Sequence, residues 1–119
     1  MPAKPVTAII ALFLALSPAL AQPAPPPPGD AEQGRKAFMD AGCQTCHGTI
    51  GHGGGIAGPR IAPAPLPYFI FISQIRKPVR AMPRYSPDLL TDQQAADIYA
   101  YLQKLPKGAD PDKIAQLRR

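Results

Sequence analysis

Cys43-Gln44-Thr45-Cys46-His47 sets two thiols three positions apart and an imidazole directly after the second. This is the spacing of a c-type haem attachment site. Each thiol can add to one of the two vinyl groups of a porphyrin, and His47 then lies beneath the ring with its imidazole toward the iron. Other uses of the same residues fit less well. A Cys43–Cys46 disulfide would close too short a loop to stabilise a fold much. Cys43, Cys46, His47 and His52 can be counted as zinc ligands, but adjacent Cys46 and His47 have difficulty converging on one tetrahedral ion. A thiol oxidoreductase would set its cysteine pair after a strand in a βαβ unit, a pattern missing here.

Outward from the motif, the chain divides into four stretches. Residues 1–21 read as a signal peptide. Lys4 precedes the apolar run Val6–Leu16, Ser17-Pro18 breaks it, and Ala19-Leu20-Ala21 fits a small-x-small cleavage site before Gln22. The run is too short for a membrane span, and an uncleaved anchor is the weaker alternative. Membrane association after cleavage is not expected, because no cysteine follows the cut to carry a lipid. Residues 22–29 hold five prolines and predict an extended polyproline linker. Residues 30–106 form one domain, and 107–119 a polar tail containing Lys107, Lys113, Arg118 and Arg119, with a short helix from Pro111.

A domain of this size buries little apolar surface per ordered residue and commonly needs a staple or a cofactor. The chain has no tryptophan and two cysteines, so a large flat apolar cofactor would complete its core. Loss of Lys4 with the leader takes the formal charge from +5 to +4, too little to suggest nucleic acid.

Three helices are expected, giving an all-α fold. The first spans Asp30 to Gly42, with Asp30 as cap, Glu32 in the first turn and Gly42 as the stop. Gly34 and Phe38 share one face, and a glycine there points to close contact with another backbone. Thr91 to Leu105 is the clearest helix. Thr91 and Gln94 form a capping box, Pro106 closes the end, and Ile98, Tyr101, Leu102 and Leu105 make one apolar face. Small Ala95 would allow a close crossing with the first helix. A third helix runs from Pro67 to about Arg76, bounded by Pro78. Tyr68–Ile72 also suits a strand, but no other segment could pair with it.

The iron's second axial position separates electron transfer from catalysis. Met1 leaves with the leader and Met39 sits in the first helix, so Met82 is the candidate thioether ligand. Pro78 and Pro83 bracket it in a stiff, non-helical loop. A thioether favours ferrous iron, and a six-coordinate centre with His47 and Met82 leaves no position for substrate. His52, in Gly51-His52-Gly53-Gly54-Gly55, is expected as an exposed loop histidine. Arg76, Lys77, Arg80 and Arg84 flank Met82, and a positive rim there would steer partners with an acidic docking surface.

Taken together, Gly34 and Phe38, Cys43–His47, Gly58-Pro59, Met82-Pro83 and Ala100-Tyr101-Leu102 resemble the class I cytochrome c family, the small bacterial monohaem c-type cytochromes. The resemblance covers about Asp30 to Leu105 and implies a cytochrome c fold of three helices and long loops around one covalently bound haem c. It implies that the Pro59 carbonyl accepts a hydrogen bond from the His47 imidazole and that Ile61 covers the ring. Attachment of such a haem in bacteria takes place outside the cytoplasm, so the leader and the motif together imply a periplasmic protein. The implied function is electron transfer with His/Met axial ligation, as a soluble shuttle or the electron-accepting haem subunit of a dehydrogenase, with a dehydrogenase or terminal oxidase as partner. The alternative is a peroxidase-like haem enzyme with an open distal site. The segment from His47 to Met82 is short for the family, leaving Tyr68, Arg60 and Arg76 as undistinguished candidates for the haem propionates.

Overall fold

Asp30 turns the chain from extended proline-rich backbone into its first helix. In a computed structural model that describes Met1 and residues 24–53, 58–63 and 66–117, α1 runs Ala31–Asp40. The Asp30 carboxylate accepts the amides of Glu32 and Gln33 at 2.8 and 2.9 Å. Those two bonds favour the charged carboxylate and lower its pKa, so the cap's contribution is lost as pH falls through that lowered value. The expected leader (1–21) lies almost wholly outside the described residues.

The end of α1 determines where the motif begins. Gly42 adopts φ 76°, its amide bonds to Met39 O at 3.0 Å, and the Cys43 amide bonds to Phe38 O at 3.1 Å. These paired bonds are a Schellman termination, which needs a residue tolerant of the left-handed region at its turn. Cys43 is therefore held by the helix stop itself.

The remaining helices are α2 (Gln44–His47), α3 (Tyr68–Arg76) and α4 (Asp92–Lys104), followed by single 3-10 turns at Pro111–Lys113 and Ala115–Leu117. Four α-helices thus replace the expected three. The extra one is a single turn inside the attachment motif, too short to show periodicity. Tyr68–Ile72 is helical, and no strand occurs among the described residues. Thr91 and Gln94 make the expected capping box, with bonds of 2.9 and 3.1 Å.

Helices α1 and α4 cross at near backbone contact. A Cβ on Gly34 would overlap the Asp97 carbonyl and approach Ile98 N to 2.9 Å. The crossing also buries Asp97, whose Oδ1 accepts the Asp30 amide at 2.8 Å and Gln93 Nε2 at 2.9 Å. Gln93 reaches on to the Pro28 carbonyl at 3.1 Å, tying the end of the proline-rich stretch to α4. Phe38, Ile98, Leu102 and Tyr101 form the centre of the core. On its other side α4 receives α3 through Tyr68, Phe71 and Tyr99, with Tyr99 centred 5.2 Å from each of the other two rings.

Candidate haem site

The core ends where the motif begins. Cys43 and Cys46 are free and half-buried, and burial raises the Cys43 thiol pKa. The turn of α2 brings the His47 amide to Cys43 O at 3.0 Å and buries the imidazole. His47 Nδ1 lies 2.8 Å from the Pro59 carbonyl. That oxygen can only accept, so Nδ1 carries the proton and Nε2 keeps its lone pair. Gly58 makes the approach possible: a Cβ there would stand 2.7 Å from Cys46 O and 3.1 Å from His47 Nδ1.

Two tyrosines brace the motif from either side. Tyr85 donates its hydroxyl to Ala41 O at 2.7 Å, two residues before Cys43. Burial and the neighbouring thiols of Cys43 and Cys46 raise the Tyr85 pKa. Tyr101 donates to Thr49 O at 3.0 Å, two residues after His47. Tyr101 was expected in the apolar face of its helix, with no role for its hydroxyl, and Tyr85 carried no expectation. Their hydroxyl partners are distant in sequence, so neither role leaves a local signal.

Met82 is half-buried in the loop between α3 and α4, and its sulfur receives Gln74 Nε2 at 3.5 Å. Met39 packs against the core from α1. Ile61 is half-buried against the same core, its amide bonded to Gly51 O at 2.8 Å. Among the described residues, no three His, Cys, Asp or Glu side chains are grouped together.

Two expectations need correction, those for Arg76 and His52. Arg76 is not part of a free rim: it pairs with Asp92 at 2.5 Å, bonds to the Tyr85 carbonyl at 3.0 Å and is largely shielded. Tyr68 is packed in the aromatic cluster with Phe71 and Tyr99. Lys77, Arg80, Arg84 and Arg60 are exposed. His52 is half-buried rather than an exposed loop residue, with Nε2 3.1 Å from the Pro106 carbonyl. The loop beyond it, residues 54–57, lies outside the described residues.

The donor set suits a c-type haem. One free thiol caps a helical turn and the second lies within it, the imidazole that follows offers only Nε2, and a thioether is held in a separate loop. One turn before Gln74 on the same face of α3, Ile70 is left 39 % exposed, and a flat apolar ring against that face would cover it. No described helix is long and apolar enough to cross a membrane.

No curated protein sequence matches the chain. The family profile described as cytochrome c oxidase, cbb3-type, subunit III matches residues 29–102, more than half of the chain. The chain therefore belongs to that family, as an all-α class I c-type cytochrome domain with covalently bound haem c and electron transfer as its chemistry.

Proposed function

We propose that Cys43 and Cys46 carry the two thioether links to one haem, with His47 Nε2 and Met82 Sδ as axial ligands. The observation that carries this is the 2.8 Å contact from His47 Nδ1 to Pro59 O, which leaves Nε2 as the ring's donor directly after two free thiols. The bound haem supplies a one-electron couple. Pro59 orients the imidazole and makes Nε2 a stronger donor. Tyr85 and Tyr101 hold the backbone on both sides of the attachment turn, and Ile61 helps to exclude water. With both axial positions filled by the chain, no site remains for a substrate, which favours a carrier over a peroxidase-like enzyme.

The same proposal gives residues 1–21 as a cleaved leader, 22–29 as a linker, 30–106 as the haem domain, 107–119 as a tail, and the periplasm as the location. One pair of measurements tests it. Intact mass of the exported protein reports cleavage after Ala21 and one added haem together. Optical spectra report a six-coordinate centre in both oxidation states, with a far-red sulfur-to-iron band in the oxidised form. A colourless protein without the added mass would overturn the proposal.

The family's name speaks of a subunit of a cbb3-type cytochrome c oxidase, so a terminal oxidase is the first partner class to test and a dehydrogenase the second. Lys77, Arg80 and Arg84 are exposed on the segment that bears Met82, as is Val79. Such a positive rim steers acidic surfaces, and its effect weakens with salt. Arg80→Glu/Arg84→Glu is expected to slow second-order electron transfer with an acidic redox protein about tenfold at low ionic strength. Stopped-flow rates should converge with the parent's as salt rises. Equal rates at low salt would remove the rim from docking.

A further inference from the structure

The last turn of α3 grips the loop that carries Met82 through three consecutive residues. Ile75 O accepts the Tyr85 amide at 3.1 Å, and Arg76 donates to the Tyr85 carbonyl at 3.0 Å. Gln74 holds the other end: its Nε2 lies 3.4 Å from Val79 O and 3.5 Å from Met82 Sδ, and its Oε1 lies 3.4 Å from Val79 N. The contacts to Val79 are long and individually weak, whereas 3.5 Å is an ordinary distance for a bond to sulfur. Together they allow one amide orientation. The neighbours of Nε2 are both acceptors and the neighbour of Oε1 is a donor, so a flipped carboxamide would lose all three bonds. Between the grips, Arg80 sits at φ 63°, a conformation that persists in a non-glycine residue only when its surroundings enforce it.

We infer that Gln74 is a positioning and tuning residue for the distal ligand, a role that rests on Met82 being that ligand. A thioether sulfur has two lone pairs. The Gln74 N–H engages one and leaves the other to face the iron, so Gln74 selects the sulfur's orientation as well as its place. The bond also draws electron density from the sulfur. A thioether favours ferrous iron because it is a weak, soft donor, so weakening its donation further raises the reduction potential. A group that merely anchored the loop would change stability and leave the potential where it was.

The test compares holoprotein carrying Gln74→Leu with the parent by redox titration and by the optical spectrum of the oxidised form. The variant is expected to keep its covalent haem and to have a lower potential. One net hydrogen bond favouring the reduced form suggests a shift of about threefold in the redox equilibrium, or about 28 mV at 59 mV per tenfold. Loss of the far-red band in the variant alone would be the stronger form of the same result. An unchanged potential with the band intact would overturn the role of Gln74. Absence of the band in the parent would instead overturn Met82 as ligand, and this inference with it. If Gln74→Leu yields no holoprotein, proton NMR of the reduced parent decides. Nuclear Overhauser contacts between the Gln74 carboxamide protons and the Met82 methyl group support the inference, and their absence overturns it.

Discussion

Gly34→Ala is expected to lower the stability of the holoprotein by about 2 kcal/mol, despite placing the best helix former in a helix. Two effects of opposite sign compete. Alanine in place of glycine within a helix gains about 1 kcal/mol from backbone propensity. Against this, the added methyl group would overlap the Asp97 carbonyl and crowd Ile98 N, both main-chain atoms of α4. Neither can rotate away as a side chain would, so the helices must separate. Overpacking of this kind costs about 3 kcal/mol at the upper end of its usual range. Separation would also stretch the Asp30 amide from the buried Asp97 carboxylate, now at 2.8 Å. Thermal unfolding should show a midpoint about 10 °C lower for a domain of this size. Arg35→Ala, on the exposed side of the same helix, should stay within about 0.5 kcal/mol of the parent. An unchanged midpoint for Gly34→Ala would mean that the crossing is looser than described.

Met82→Ala is expected to alter the spectrum more than any other substitution that leaves the haem attached. Cys43, Cys46 and His47 are untouched, so covalent haem and its mass remain. The far-red sulfur-to-iron band should disappear, and carbon monoxide should bind the reduced protein readily. The potential should fall by more than the Gln74→Leu shift, within the ~0.8 V range that axial ligation spans. Met39→Ala is the control. Met39 is likewise half-buried, and truncating a packed methionine costs about 2 kcal/mol, but its spectrum should match the parent's. Loss of the band in Met39→Ala, with retention in Met82→Ala, would exchange the roles of the two residues.

The local parts of the fold are legible in the amino-acid sequence. Thr91 and Gln94 cap each other over one helical turn, Gly42 stops α1, and Pro67 and Pro78 bracket α3. Each is a short-range effect of a side chain on nearby backbone. Gly34 was legible in kind, since an interior glycine implies close approach, but its contact was not. The expected close approach to another backbone is met by the Asp97 carbonyl and Ile98 N, main-chain atoms that no side-chain pattern identifies. The one-turn helix α2 escaped notice because four residues carry no period.

At the candidate site the division is the same. The spacing of Cys43, Cys46 and His47, and the isolation of Met82 between prolines, follow from the linear order of residues. The Pro59 contact was reached only through a family resemblance, and the structure shows it at 2.8 Å. Arg76 was misassigned to the basic rim because nothing in its neighbourhood announces Asp92, 16 residues away, as its partner. Tyr85 and Tyr101 reach carbonyls 44 and 52 residues distant, and Asp97 reaches an amide 67 residues distant.

Order along the chain thus determined the chemistry available: which donors exist, how thiols and imidazole are spaced, and where helices start and stop. Only the folded arrangement decided which donors are free, which cations are spent on internal pairs, and which amide meets the sulfur of Met82. The reason is physical. Caps, turns and attachment spacing act over a few residues of backbone, whereas hydrogen-bond partners and burial depend on chain segments that meet only after α1, α3 and α4 have packed.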